Sequence, residues 1–399
     1  MGGAFLARAD DATAASWNPA GLSYLRQPEL SLVGFRSISS NTGRDAAGAT
    51  TSTDRFEGSA IDFISLAYPV ELGGQSGAVQ LSYQRLLPLG GERHIQIPEP
   101  SATRVFELSL HGGFDVVALG SGFSLGHGLR VGATLNRWLN GYEQETTRLL
   151  RFQARTVTQT AQEVEFDLSG WNVNAGMIWT PTQALNLGLV AKTPFTAKVE
   201  LSRRRVDYFA DAPSPETTTS NSSSSDGLRL KFPWAVGFGV SMRPRSALTV
   251  SADYTRTAWS DARIHEYFLL ERTPLGQSPP TPAESNTIFA DLPYPTLDLD
   301  NRQADTDQVR VGVEWVLIGH RVKVPLRAGY FTDRQFFHDR TRTAPLFTGF
   351  TAGTGLLTGP FLLDVAFVLE RGDYPDADSQ SRVSARSSRF WVSLIYRRR

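Results

Sequence analysis

Apolar and polar residues alternate with period two through long stretches of the chain. Trp234, Val236, Phe238, Val240 and Met242 share one face, with Ala235, Gly237, Gly239 and Ser241 between them. Trp171, Val173, Ala175, Met177 and Trp179 alternate with Asn172, Asn174, Gly176, Ile178 and Thr180. Val309, Val311, Val313, Trp315 and Leu317 do the same, as do Leu363, Val365, Phe367 and Leu369. Successive side chains of an extended strand point to opposite sides, so each set marks one face of a sheet. Tryptophan stands at the ends of several stripes, where an interfacial aromatic girdle would place it.

The pattern predicts about fourteen strands, near 29–37, 59–69, 76–87, 104–125, 128–140, 164–180, 184–202, 228–243, 246–262, 305–318, 322–333, 346–357, 360–371 and 386–397. Their connectors alternate in length. Short turns are expected at 72–74, 126–128, 180–182, 243–245, 318–320 and 358–360. Long polar loops are expected near 38–58, 88–103, 141–163, 203–227, 263–304, 334–345 and 372–385. Short turns on one side and long loops on the other, on an even strand count, form the outer-membrane pattern of bacteria. The fold class is therefore all-β, a membrane-spanning antiparallel β-barrel. The last strand carries Phe390, Val392, Leu394 and Tyr396 on one face, suited to closing the barrel, and Arg397-Arg398-Arg399 follows it.

Composition narrows the function. A soluble chain of 399 residues would usually divide into domains, and no seam is visible here. There are no cysteines, which argues against a disulfide-stapled fold and against thiolate metal sites. Formal net charge is +0, so no global field draws nucleic acid to the chain. The longest uncharged run, Thr343 to Leu363, holds four glycines and Pro360 and reads as a hairpin instead of a spanning helix. No recognisable signal peptide precedes the irregular N-terminal segment, although a barrel needs one for export; the expectation is that it has been removed or that Met1 is not the true start.

The first two dozen residues break the strand pattern. Gly2-Gly3-Ala4-Phe5, Ala9-Asp10-Asp11-Ala12 and Trp17-Asn18-Pro19-Ala20-Gly21-Leu22 are small and irregular. Asp10 or Asp11 is placed to cap one helix of about two turns. Pro19 then forces Asn18 out of the helical region, and Gly21 permits a sharp turn. A barrel of fourteen strands is wide enough to leak, and a segment of this kind before the first strand can obstruct it. The expected division is residues 1–28 as a plug and 29–399 as the barrel with long extracellular loops.

This opening resembles the N-terminal hatch of FadL-type outer-membrane transporters of long-chain fatty acids and aromatic hydrocarbons. Asn18-Pro19-Ala20 matches the hatch signature of that family. The resemblance implies a fourteen-stranded barrel plugged by its N-terminus, with Asp10, Asp11, Trp17, Asn18, Pro19 and Ala20 at the gate. It implies passive uptake of a hydrophobic small molecule across the bacterial outer membrane, by a monomer in contact with outer-membrane lipid. The same opening is also similar to barrels of the type IX secretion machinery, which act as substrate shuttles, so a protein-interaction role stands as the alternative.

By the same resemblance, hydrophobic cargo first lands among the long loops. The apolar candidates there are Leu149, Leu150, Phe152, Tyr208, Phe209, Tyr267, Phe268 and Leu269; exposed clusters of this kind often mark contact with a ligand or partner. Charges on the lumen face, Arg130, Arg310, Glu314, Lys323, Arg327 and Asp364, are candidates to hold a carboxylate headgroup or to fasten the plug. Pro233 and Pro325 interrupt strands and mark bulges or kinks. The acidic groups Asp298, Asp300, Asp305, Asp307 and Asp373, Asp376, Asp378 lack the spacing of a calcium loop. The six histidines show neither metal spacing nor a triad, so no metal, no cofactor and no enzymatic activity are expected.

Overall fold

The alternation read from the chain becomes a closed ring of strands. The computed structural model describes residues 1–44, 47–48, 50–88, 91–98, 102–152, 155–209, 217–264, 304–335, 344–375 and 382–398. Its hydrogen-bonded segments join into fourteen barrel strands. These are β1 (Glu29–Arg44), β2 (Thr50–Leu72), β3 (Gln75–Pro88, then Gly91–Pro98), β4 (Ala102–Gly126) and β5 (Leu129–Leu139, then Gly141–Phe152). Next come β6 (Arg155–Thr182), β7 (Leu185–Lys192, then Phe195–Phe209), β8 (Thr217–Phe232, then Ala235–Arg245) and β9 (Leu248–Thr257, then Arg263–Ile264). The last five are β10 (Thr306–Ile318), β11 (Val322–Arg334), β12 (Leu346–Thr358), β13 (Phe361–Pro375) and β14 (Arg382–Arg397). Every neighbouring pair is antiparallel. β1 pairs with β2 on one side and with β14 on the other, from Glu29↔Arg397 to Arg44↔Arg382, and this closes the ring.

Closure sorts the two faces. The stripes identified in the sequence all point outward: Trp171, Trp179, Phe238, Met242, Trp315, Leu363, Phe367 and Phe390 are exposed, as a lipid-facing belt must be. The intervening residues, such as Gln80, Thr134, Ile178 and Ser251, are buried on the inside. No helix among the described residues is long and apolar enough to cross a membrane.

Three features differ from the sequence expectation. The turns expected at 180–182 and 243–245 lie at 183–184 and 246–247, because Pro181 and Pro244 sit at strand ends where a missing N–H costs nothing. Much of 88–103, 141–163 and 203–227 is strand instead of loop. β3 to β8 continue well past the membrane belt as paired strands, for example Leu149↔Gln159 and Tyr208↔Gln159. Polar sequence obscured this, since strands in water need an apolar stripe on one face only.

These extensions begin near a row of breaks in β4, β5, β7 and β8, while β6 runs unbroken from Arg155 to Thr182. Gly112 and Gly113 take positive φ (109° and 152°) in β4, and Asn140 takes φ 64° in β5. The break in β7 falls at Thr193-Pro194, and that in β8 at Pro233-Trp234, where proline offers no ladder donor. Pro325, by contrast, stays paired with Val316 and costs β11 only some of its pairing with β12. Above this row the inner faces of the extensions pack on an apolar core.

Candidate functional site

The non-strand N-terminus packs against the inner face of the wall. Its helix, α1 (Ala14–Trp17), is one turn long where about two were expected. Thr13 occupies the cap position without a side-chain bond; Asp11 instead accepts from Thr13 N (2.8 Å) and Thr13 Oγ1 (2.6 Å). Asp10 is exposed. Asn18 is extended (φ −144°, ψ 105°), as the following proline requires, and a 3-10 turn over Pro19–Tyr24 follows. Gly21 does not need an unusual φ. It is needed because a Cβ there would collide with the carbonyl of Ala9. Trp17 packs edge-on against Phe5, centroids 6.0 Å apart.

Asn18 is the central fastening. It is fully buried, and its Nδ2 donates to Leu6 O (2.8 Å) and to Met177 O in β6 (3.1 Å). Its Oδ1 accepts from Ala20 N (3.1 Å), capping the 3-10 turn. The wall is shaped to receive it: a Cβ on Gly176 would collide with Asn18 Oδ1, and one on Gly132 with Pro19. Backbone contacts as close as these admit only glycine.

Polar wall residues hold the remainder. Asp253 in β9 accepts from Phe5 N (2.6 Å) and Leu6 N (2.8 Å). Ala12 N donates to Glu29 Oε2 (3.1 Å), and Ala12 O accepts from Ser65 Oγ (2.9 Å) and from Gln80 Nε2. Gly2 N donates to Thr351 Oγ1 in β12 (2.7 Å). The Arg130 guanidinium lies 4.1 Å from the centroid of the Tyr24 ring, a cation–π contact.

Of the six lumen charges singled out in the sequence, Arg130 meets Tyr24, Lys323 is exposed near the short-turn end of β11, and the other four divide. Glu314, with 3% side-chain exposure, accepts from Arg8 of the N-terminal segment on one oxygen and from Arg327 Nε (2.7 Å) on the other. Arg327 also pairs with Asp364. Arg310 stands apart; its Nη2 donates to Gln308 Oε1 (2.6 Å), and its stem lies beside Gly3.

Two further features were not legible in the sequence. A small cavity of about 50 Å³ lies between α1 and the wall, bordered by Ser16, Val116, Trp138, Asn172 and Lys192. Lys192 has no ion-pair partner among the described residues. Asn172 Oδ1 accepts from Trp138 Nε1 (2.8 Å) and Asn136 Nδ2 (3.1 Å), so the polar side of this cavity is tied together. Above it the rings of Trp138, Phe195 and Phe232 meet, with centroids 4.7 to 5.3 Å apart. Beyond them the strand extensions bury Leu108, Leu110, Tyr142, Phe166, Leu168 and Val199 in one cluster. The signal lay in alternate positions of segments whose other face is polar, such as Val164, Phe166 and Leu168 among Glu163, Glu165 and Asp167.

The residues expected to line a landing groove are on strands where the structure describes them. Leu149 and Leu150 are half-buried on β5 and Tyr208 half-buried on β7. Leu149 and Tyr208 both face Gln159 of β6, so the register places them two strands apart on one face. Phe152 and Phe209 are paired in the same sheet. Nearby, Arg205 Nε donates to Asp207 (2.8 Å) and holds that carboxyl below its usual range. Tyr267, Phe268 and Leu269 lie outside the described residues. Of the acidic groups, Asp305 and Asp307 pair with Arg256 (2.8 and 3.1 Å); Asp298, Asp300, Asp376 and Asp378 are outside the described residues.

Solved structures share this architecture over almost their whole length. The crystal structure of a Pseudomonas aeruginosa FadL homologue superposes with TM-score 0.60 at 15% identity, over 99% of this chain and 96% of that one. The Pseudomonas putida toluene transporter TodX gives TM-score 0.59 at 13% identity, over 97% and 94%. The Ralstonia pickettii toluene transporter TbuX gives 0.58 at 14% identity, over 100% and 97%. The fold is therefore that of the FadL-type outer-membrane transporters. No curated protein matches the chain. The family model BamG, a different family name, matches residues 1–272, which take in the N-terminal segment and β1 to β9. By that match over well more than half its length, the chain belongs to the BamG family.

Proposed function

We propose that the protein is a bacterial outer-membrane barrel for passive uptake of hydrophobic small molecules, long-chain fatty acids or hydrocarbons, with residues 1–28 as its hatch. The observation that carries this reading is the stack of apolar core, aromatic trio and small cavity ending at Lys192 beside α1. An aliphatic chain entering from outside must part this buried core, and each methylene it then buries contributes roughly 0.8 kcal/mol. The Lys192 ammonium, exposed beside the cavity and near Arg310, then meets a carboxylate. About 50 Å³ is far too small for such a chain, so loading requires the N-terminal segment or the aromatic trio to move. The likeness in fold to toluene transporters supports the same class of cargo.

Lys192→Gln tests it. A charge-assisted hydrogen bond contributes about 1.5–3 kcal/mol, so oleate affinity should fall by roughly tenfold or more. Oleyl alcohol, with the same chain and no charge, should bind equally to both proteins. Quenching of tryptophan fluorescence reads both titrations, with Trp138 at the cavity. Equal loss for acid and alcohol, or no binding of either, would sink the reading.

The many bonds that fasten the N-terminal segment favour one second reading, a barrel that serves a secretion machine through contact with a protein partner. It is distinguished by extracting the purified protein with organic solvent. Stoichiometric lipid supports uptake; a clean extract with a co-purifying secreted domain supports the shuttle.

A further inference from the structure

Four arginines gather on the outer, lipid-facing side of the wall, at the long-loop ends of β1, β13 and β14. Arg371 of β13 is directly opposite Arg386 of β14, and Arg382 of β14 is directly opposite Arg44 of β1. Like charges placed opposite one another in a sheet are destabilising, so two such pairs about 13 Å apart along β14 call for an anion. Among the described residues the acidic group paired with one of them is Asp373, whose carboxylate is 3.6 Å from Arg382. Among the described residues Arg44, Arg371 and Arg386 make no ion pair. All four side chains are exposed, and they border a concavity of about 620 Å³ with Thr42 and Thr348.

The register places this patch against the membrane. Arg371 shares its face with Leu369 and Phe367, and Arg386 shares its face with Phe390 and Val392, all of them exposed apolar residues of the lipid belt. Residues two apart on a strand are about 7 Å apart, so the guanidinium groups begin one step above the acyl-chain region. Guanidinium forks match phosphate oxygens in pairs of hydrogen bonds. A cationic hollow directly above an apolar wall has the chemistry of a lipid with phosphates on its headgroup.

We propose that this face binds a phosphorylated lipid of the outer leaflet, with Arg44, Arg371, Arg382 and Arg386 around its phosphates and the belt below against its acyl chains. The site rests on the barrel standing in the outer membrane with its long loops outward, and not on what the barrel transports.

The test uses the full chain in detergent, probed by native mass spectrometry with bisphosphorylated lipid A and with the same lipid dephosphorylated. The protein should retain the phosphorylated lipid. Arg371→Gln with Arg386→Gln should weaken retention by about tenfold or more, with loss also expected as salt is raised. Arg243→Gln with Arg245→Gln, exposed charges at the short-turn end, should change nothing. Equal retention by the first double variant, or equal binding of dephosphorylated lipid, overturns the proposal. Displacement of the lipid by millimolar inorganic phosphate would show that the site takes phosphate alone, and overturns it too. The heat-modifiable gel mobility of each variant shows that the barrel is folded. Labelling of an epitope inserted within 376–381 on intact cells tests orientation separately; its failure would remove the membrane reading while leaving the binding result intact.

Discussion

Asn18→Ala is expected to undock the N-terminal segment while leaving the barrel closed. The side chain is fully buried and joins Leu6 O, Ala20 N and the wall carbonyl of Met177. Truncation leaves Leu6 O and Ala20 N without that partner, and a buried group so orphaned costs about 1–3 kcal/mol. A total near 3 kcal/mol raises the undocked population by about a hundredfold. Ala12 is a suitable reporter, being fully buried with both backbone groups bonded to the wall. The native chain has no cysteine, so Ala12→Cys can be labelled alone with a maleimide. Labelling should be much faster in the Asn18→Ala background. Gly176→Val should act alike from the wall side, since its Cβ would occupy the space of Asn18 Oδ1. Strand pairing is untouched by either change, so gel mobility should stay that of the folded barrel. Labelling no faster than in the parent would mean that Asp253, Glu29 and Glu314 hold the segment without Asn18.

Glu314→Ala should produce the second large effect, through charge. Its carboxylate is nearly inaccessible and lies between Arg8 and Arg327. Removing one member of a buried ion pair costs about 3–5 kcal/mol, because the remaining charge stays desolvated. Arg327 keeps Asp364, whereas Arg8 loses the carboxylate it pairs with. The expected outcome is release of residues 1–8 from β10 and a lower temperature for loss of the compact gel band. Glu314→Gln keeps an acceptor oxygen for one arginine but sets an amide NH2 donor against the other, so it should lose nearly as much as alanine. If alanine and glutamine variants melt with the parent, the triad is a lumen ornament with no part in fastening the segment.

Much of the fold is legible without coordinates because a membrane barrel separates its two environments with period two. Trp171 to Trp179 and Val309 to Leu317 declare one face to lipid, and only a closed antiparallel ring lets every such strand keep its hydrogen bonds. The departure of Asn18 from helical geometry is likewise local, set by the ring of Pro19. Local rules did not reveal the length of α1, because a one-turn helix is held by its contacts and not by propensity.

The chain by itself determined which faces meet lipid, how many times the wall crosses it, and where the N-terminus stops being strand; each of these rests on steric and solvation rules acting over a few residues. Only the tertiary structure decided that Asn18 meets Gly176, that Arg8 meets Glu314, and that Trp138, Phe195 and Phe232 stack above Lys192. Those partners come from strands far apart in sequence, and their meeting depends on register and on the strand breaks at Asn140, Pro194 and Pro233. The same holds for the arginines of β1, β13 and β14, which become one patch because closing the ring sets the first strand beside the last.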